Sequence, residues 1–159
     1  MTPSHFDLNK LRSKVKVAMR KATPKDTGNL AYNALHSYVT KTGLRFTYLG
    51  SIAGYGKILN QSIMLGNKKN KHFGWHNRAS ANAIATVARE FNPKAKGFRI
   101  YNNRQQSYKE QVDGIIKDNP GDEALKKILK RMQAEKILQV QESWKANSAG
   151  QAYNKYNKV

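Results

Sequence analysis

The stretch Leu35-His36-Ser37-Tyr38-Val39-Thr40-Lys41-Thr42-Gly43-Leu44-Arg45-Phe46-Thr47-Tyr48 carries the main architectural signal. Leu35, Ser37 and Val39 form one alternating set, and Leu44, Phe46 and Tyr48 form another. A period of two sends each set to one face of a strand. Thr40 to Gly43 is a polar turn with the glycine placed for a positive φ, so a β-hairpin is predicted over 35–48. The opposite face carries His36, Tyr38, Arg45, Thr47 and Leu49, and is mixed rather than fully wet. Two strands alone are marginal in water, so helices must cover this sheet or a neighbour must extend it.

On the N-terminal side, Leu8, Leu11, Val15, Ala18, Met19 and Ala22 recur at helical spacing. Thr2-Pro3 reads as the N-cap and first residue of a helix over 3–22. Pro24 ends it, because a residue before proline avoids the helical region. Most of Lys10, Arg12, Lys14, Lys16, Arg20 and Lys21 fall off the apolar stripe, so the helix is basic and amphipathic.

On the C-terminal side, Tyr55 to Leu59 suits a short helix. Gly66 to Lys71 reads as a mobile basic loop, within a basic region at 66–79. Ser80 to Phe91 is a predicted helix with Ala83, Ile84, Val87, Ala88 and Phe91 on one face. Phe98 to Tyr101 suits a further strand. Asn119-Pro120 opens a last helix over 121–146, with Leu125, Ile128, Leu129, Met132, Ile137, Leu138 and Trp144 on its buried side. The expected fold class is α+β: a small antiparallel sheet around the central hairpin, packed with an N-terminal helix and a long C-terminal helix. One domain is expected over 1–146, with a flexible tail at 147–159.

Among the 159 residues, 29 are Lys or Arg and 10 are Asp or Glu, giving a net charge of +19. By segment the balance is +8 over 1–60, +8 over 61–110 and +3 over 111–159. The first two thirds therefore suit contact with something negative. With no cysteine, a disulfide scaffold, a thiol nucleophile and any cysteine-ligated metal site are excluded. No apolar run is long enough for a membrane span or a signal-peptide core.

Several short motifs suggest chemistry and lack the rest of what it needs. Asp26-Thr27-Gly28 matches the aspartic-protease tripeptide, but Thr23-Pro24-Lys25 precedes it instead of an apolar strand. A capped turn, with the Asp26 carboxylate accepting backbone N–H bonds near Asn29, is the better reading. Gly56-Lys57 lacks both the upstream glycine and the following Ser or Thr of a phosphate loop. His72 and His76 have i, i+4 spacing but no nearby carboxylate to complete a metal site. Asn60-Gln61-Ser62 matches a glycosylation acceptor by chance. Acids are too few to assemble a general acid–base pair readily. No enzyme activity, cofactor or metal is expected.

What remains is a run of cations interleaved with rings: Lys68, Lys69, Lys71, His72, Phe73, Trp75, His76 and Arg78. Cations can meet phosphates while rings stack on bases. Lys68, Lys69, Lys71 and Arg78 are the candidate contacts to DNA or to an acidic partner.

A helix, then Thr23-Pro24-Lys25-Asp26-Thr27-Gly28-Asn29-Leu30, then a hairpin, then Tyr55 in a small-residue segment resembles the tail-completion (head–tail joining) proteins of tailed bacteriophages. Lys71-His72-Phe73-Gly74-Trp75-His76 looks like the return to a helix after that family's long loop. The resemblance covers roughly residues 5–95, with Asp26, Thr27, Gly28, Leu30 and Tyr55 as its motif residues. Two features depart from the family's pattern. Lys57-Ile58-Leu59-Asn60 stands where its acidic, Gly-Thr-ended segment belongs, and Phe98 to Pro120 has no counterpart. The resemblance implies an α+β virion subunit without catalysis, forming a ring, by family sixfold, in the neck between the portal-side connector and the tail. It implies other neck and tail proteins as partners and packaged DNA as a neighbour. Such a subunit passes through the host cytoplasm during assembly and needs no membrane. The alternative is a small basic nucleic-acid-binding protein; a nuclease is a third reading, opposed by the scarcity of carboxylates.

Overall fold

The computed structural model describes residues 7–25, 28–41, 43–97 and 106–142. The fold is α+β, as expected, but its main sheet is mixed rather than antiparallel, because its last strand joins in parallel. Helix α1 runs Leu8–Ala22 and is capped by the Asp7 side chain, which accepts from the Lys10 N–H at 3.2 Å. It therefore starts five residues later than expected; Thr2 and Pro3 lie outside the described residues. Thr23 ends α1 in an extended conformation, as the following proline requires.

A single π-turn, Asn29–Asn33, leads into β1 (Leu35–Val39) and β2 (Leu44–Tyr48). The two strands pair antiparallel, Leu35 opposite Tyr48 and Val39 opposite Leu44. Leu35, Leu44, Phe46 and Tyr48 are buried, whereas Val39 is exposed because the apolar face of β1 runs out beside the turn. Gly43 is needed for a different reason from the expected one. Its φ is outside the left-handed region, but a Cβ there would collide with the Ile137 carbonyl.

Beyond β2 come α2 (Gly50–Ala53), α3 (Tyr55–Gln61), β3 (Met64–Leu65), β4 (Lys68–Lys69), α4 (Trp75–Phe91), α5 (Tyr108–Asp118) and α6 (Glu123–Ala134). The chain then returns as β5 (Leu138–Glu142), parallel to β2, with Leu44 opposite Leu138. Among the described residues the main sheet has the order β1-β2-β5. Because β2 and β5 are parallel, their connection is long, and it carries α2 to α6.

The expected helix over 121–146 is thus corrected. Lys136 adopts a positive φ of 53° just after α6, and Leu138-Gln139-Val140-Gln141 alternates with the period of a strand. Ile137 and Leu138 are buried as expected, but in a turn and a strand. Trp144 and the 147–159 tail lie outside the described residues, as does the expected strand at Phe98–Tyr101. Helix α5 stands in a stretch to which the sequence reading assigned no element. Ser107 and Glu110 form a reciprocal capping box at its start.

The core forms where α1 lies along α4. Leu11, Val15 and Met19 meet Trp75, Ala79, Ala83 and Ile84, and small alanines let the helices approach closely. Asn82 Nδ2 donates to the Ala18 carbonyl at 3.0 Å, and Lys14 pairs with Glu90 at 2.5 Å across the same seam. Phe91, expected on the buried face of α4, is instead 38% exposed.

Candidate partner-binding groove

The residues that matter are positioned by a series of backbone clamps. The expected loop at 66–71 is a small ribbon, β3 paired with β4, Met64 opposite Lys69. Asn70 pins it to α3. Its Nδ2 donates to the carbonyls of Leu59 and Ser62 at 2.7 and 2.6 Å, and its Oδ1 accepts from the His72 N–H at 2.9 Å.

Asn60 does the same for the start of α4. Its carbonyl accepts from the Gly74 N–H at 3.0 Å and its Oδ1 from the His76 N–H at 2.9 Å. A buried residue of α3 thereby supplies one backbone and one side-chain acceptor at the helix N-terminus. With Gly74 in a left-handed conformation, α4 begins at Trp75, five residues before the expected Ser80. Asn60 is 3% exposed with its amide oxygen engaged, so the glycosylation match is chance.

Trp75 and His76 are buried, and Trp75 Nε1 donates to the Gly56 carbonyl at 2.9 Å. Tyr48, Trp75 and His76 form an edge-to-face cluster with centroids 4.8 to 5.7 Å apart. These rings belong to the core, so Trp75 and His76 are not available to stack on bases. Burial holds the His76 imidazole down at about 4, neutral near pH 7. Among the described residues, no group of three or more His, Asp or Glu is placed to hold a metal ion. None of the described helices is long and apolar enough to cross a membrane.

The end of α1, helix α3 and the ribbon together border an open groove of about 1040 Å³. Lys21 and Lys25 line one part of it, and Lys71 and Arg78 another. Tyr55, Ile58, Leu59 and Leu65 supply apolar wall. None of the described lining residues is acidic. Arg78 Nη1 donates to the Phe73 carbonyl at 2.7 Å, which fixes the guanidinium, and partial burial lowers its pKa. Of the four candidate contacts, Lys71 and Arg78 reach the groove; Lys68 and Lys69 stand exposed on β4 and do not line it. Lys21 and Lys25 are the members that sequence reading missed. They belong to the α1 end and the proline turn, far from the basic run in sequence.

Of the family-motif residues, Asp26 and Thr27 lie outside the described residues, as does the expected carboxylate cap. Gly28 has φ +80°, which only glycine adopts readily. The Leu30 N–H donates to the Tyr55 hydroxyl at 3.2 Å, so the turn and α3 meet at the groove. Nearby, the Arg20 guanidinium lies 4.7 Å from the Tyr32 ring centroid and donates to the Ala31 carbonyl. A second concavity of about 420 Å³ is bordered by Arg12, Lys16, Tyr32 and His36. Burial, then Arg20 and Arg12, lowers the Lys16 pKa there.

Neither a scan against protein-family models nor searches of curated proteins and of solved structures found a match to the chain.

Proposed function

We propose that the chain is a structural virion protein of a tailed phage, a ring-forming tail-completion or head–tail connector subunit of the neck. The observation that carries the ring is exposed apolar surface on two different sets of elements. One set, outside the groove lining, is Ile52, Ile63 and Met64, spanning α2 to β3; Ile63 is 56% exposed. The other is the edge strand β1, where Tyr38 and Val39 are exposed on opposite faces. Scattered exposed apolar residues are ordinary, but clusters of them mark contact surfaces. Two unlike surfaces on one subunit suit a head-to-tail contact, which closes into a ring when the rotation permits.

The phage setting is supported by the sequence resemblance, whose separate segments, Gly28–Leu30 and Tyr55, are joined by the Leu30–Tyr55 hydrogen bond. The +19 charge keeps subunits apart in dilute solution and suits acidic neighbours or passing DNA. Negative-stain images of the purified protein at raised salt test this. Closed rings of uniform diameter are expected. Featureless monomers, together with DNA binding that falls steeply with salt, would favour the nucleic-acid-binding alternative instead.

A further inference from the structure

We infer that the groove between the α1 end and the β3–β4 ribbon takes an acidic peptide segment with apolar side chains, supplied by a partner protein. Two kinds of surface face each other there. Lys21, Lys25, Lys71 and Arg78 provide four cations with no acid among the described lining residues. Ile58 and Leu65, 60% and 39% exposed, leave an aliphatic wall beside them. A peptide with carboxylates and aliphatic residues in alternation satisfies both at once: its charges complement the cations and its apolar side chains cover the wall.

A nucleic-acid backbone satisfies only the first. Its phosphates meet the lysines, but Ile58 and Leu65 remain wet. Trp75 and His76 are in the core, and of the aromatic rings only Tyr55 and His72 are among the described lining residues, beside a mainly aliphatic wall. The volume, about 1040 Å³, is at the top of the range for small-molecule sites, and the groove is open, which suits a length of chain rather than an enclosed ligand. The setting rests on the ring-subunit reading, in which the occupant belongs to a neighbouring neck protein; the chemistry of the groove stands without it.

The test uses the full chain and three labelled probes of equal charge: a Glu/Leu peptide, a Glu-only peptide with neutral polar spacers, and single-stranded DNA. The Glu/Leu peptide is expected to bind tightest by fluorescence anisotropy. Ile58→Ser, at an exposed site, is expected to weaken that peptide about tenfold while leaving the Glu-only peptide unchanged. Lys25→Glu with Lys71→Glu is expected to weaken it at least about tenfold. Lys94→Glu with Lys126→Glu changes net charge equally, away from the groove lining, and is expected to do much less. Equal affinity for both peptides, indifference to Ile58→Ser, or equal loss from the two charge swaps would overturn the inference. Tightest binding of the DNA would replace it with a nucleic-acid site. Rings without peptide binding would sink the groove assignment alone, whereas peptide binding without rings would sink only the assembly.

Discussion

The backbone N–H of Leu30 donates to the hydroxyl of Tyr55, 25 residues later, at 3.2 Å. This one bond fixes the turn after α1 against the first residue of α3, and Tyr55 itself lines the basic groove. It makes the groove a product of two segments that neither could shape alone.

Tyr55→Phe removes the acceptor and leaves the Leu30 N–H without its hydroxyl. The expected cost is about 1 kcal/mol, read as a lower urea midpoint at an unchanged m-value. An unchanged midpoint would mean that the bond does not hold the turn.

Asn70 ties the ribbon to the end of α3 through two side-chain hydrogen bonds, to the Leu59 and Ser62 carbonyls, and accepts a third from the His72 N–H. Asn70→Ala is expected to release the ribbon and raise trypsin cleavage after Lys68, Lys69 and Lys71 several-fold. In the assembled ring the same sites are expected to be protected. Equal cleavage of both proteins would show that Asn70 is not the clamp, and equal cleavage of subunit and ring would argue against a contact role for these lysines.

Much of the fold was legible in local pattern. The hairpin alternation placed β1 and β2 at their observed residues, and Pro24 marked the end of α1. The misses share a cause: the deciding partner is remote in sequence. The start of α4 depends on Asn60, and the role of Gly43 depends on Ile137. Strand β5 extends an apolar run from α6, and its period of two spans too few residues to outweigh the helical pattern before it. Helix α5 was missed, although Ser107-x-x-Glu110 is a capping-box signal that could have placed its start. Of the groove, the Lys71 to Arg78 side is visible in a basic run, while Lys21 and Lys25 join it only through tertiary folding.

Gly43→Ala sets a side chain against the backbone of Ile137, beside the Leu44 N–H bond to the Ile137 carbonyl at 2.7 Å. The β2–β5 pairing must shift, and a loss of at least about 2 kcal/mol is expected in chemical unfolding. A change below about 0.5 kcal/mol, the usual scale of surface substitutions, would contradict the close approach.

Burial lowers the His76 pKa from the ordinary 6.5 to about 4. Above pH 6.5 the ring is neutral folded or unfolded and contributes no pH dependence. As pH falls through 6.5, the unfolded chain takes up a proton that the folded protein refuses until about pH 4. Stability should therefore drop across that window, by on the order of 3 kcal/mol in total. His76→Phe is expected to flatten this part of the stability profile. The same slope in the variant would assign it to other groups.

Like-charged subunits repel until salt screens them, so association should rise with ionic strength. Sedimentation velocity over a salt series separates the possibilities. A monomer at low salt that converts to one closed species at high salt, six subunits by the family resemblance, is the expected result. A monomer at every salt concentration, or open polymers of unlimited size, would contradict the ring.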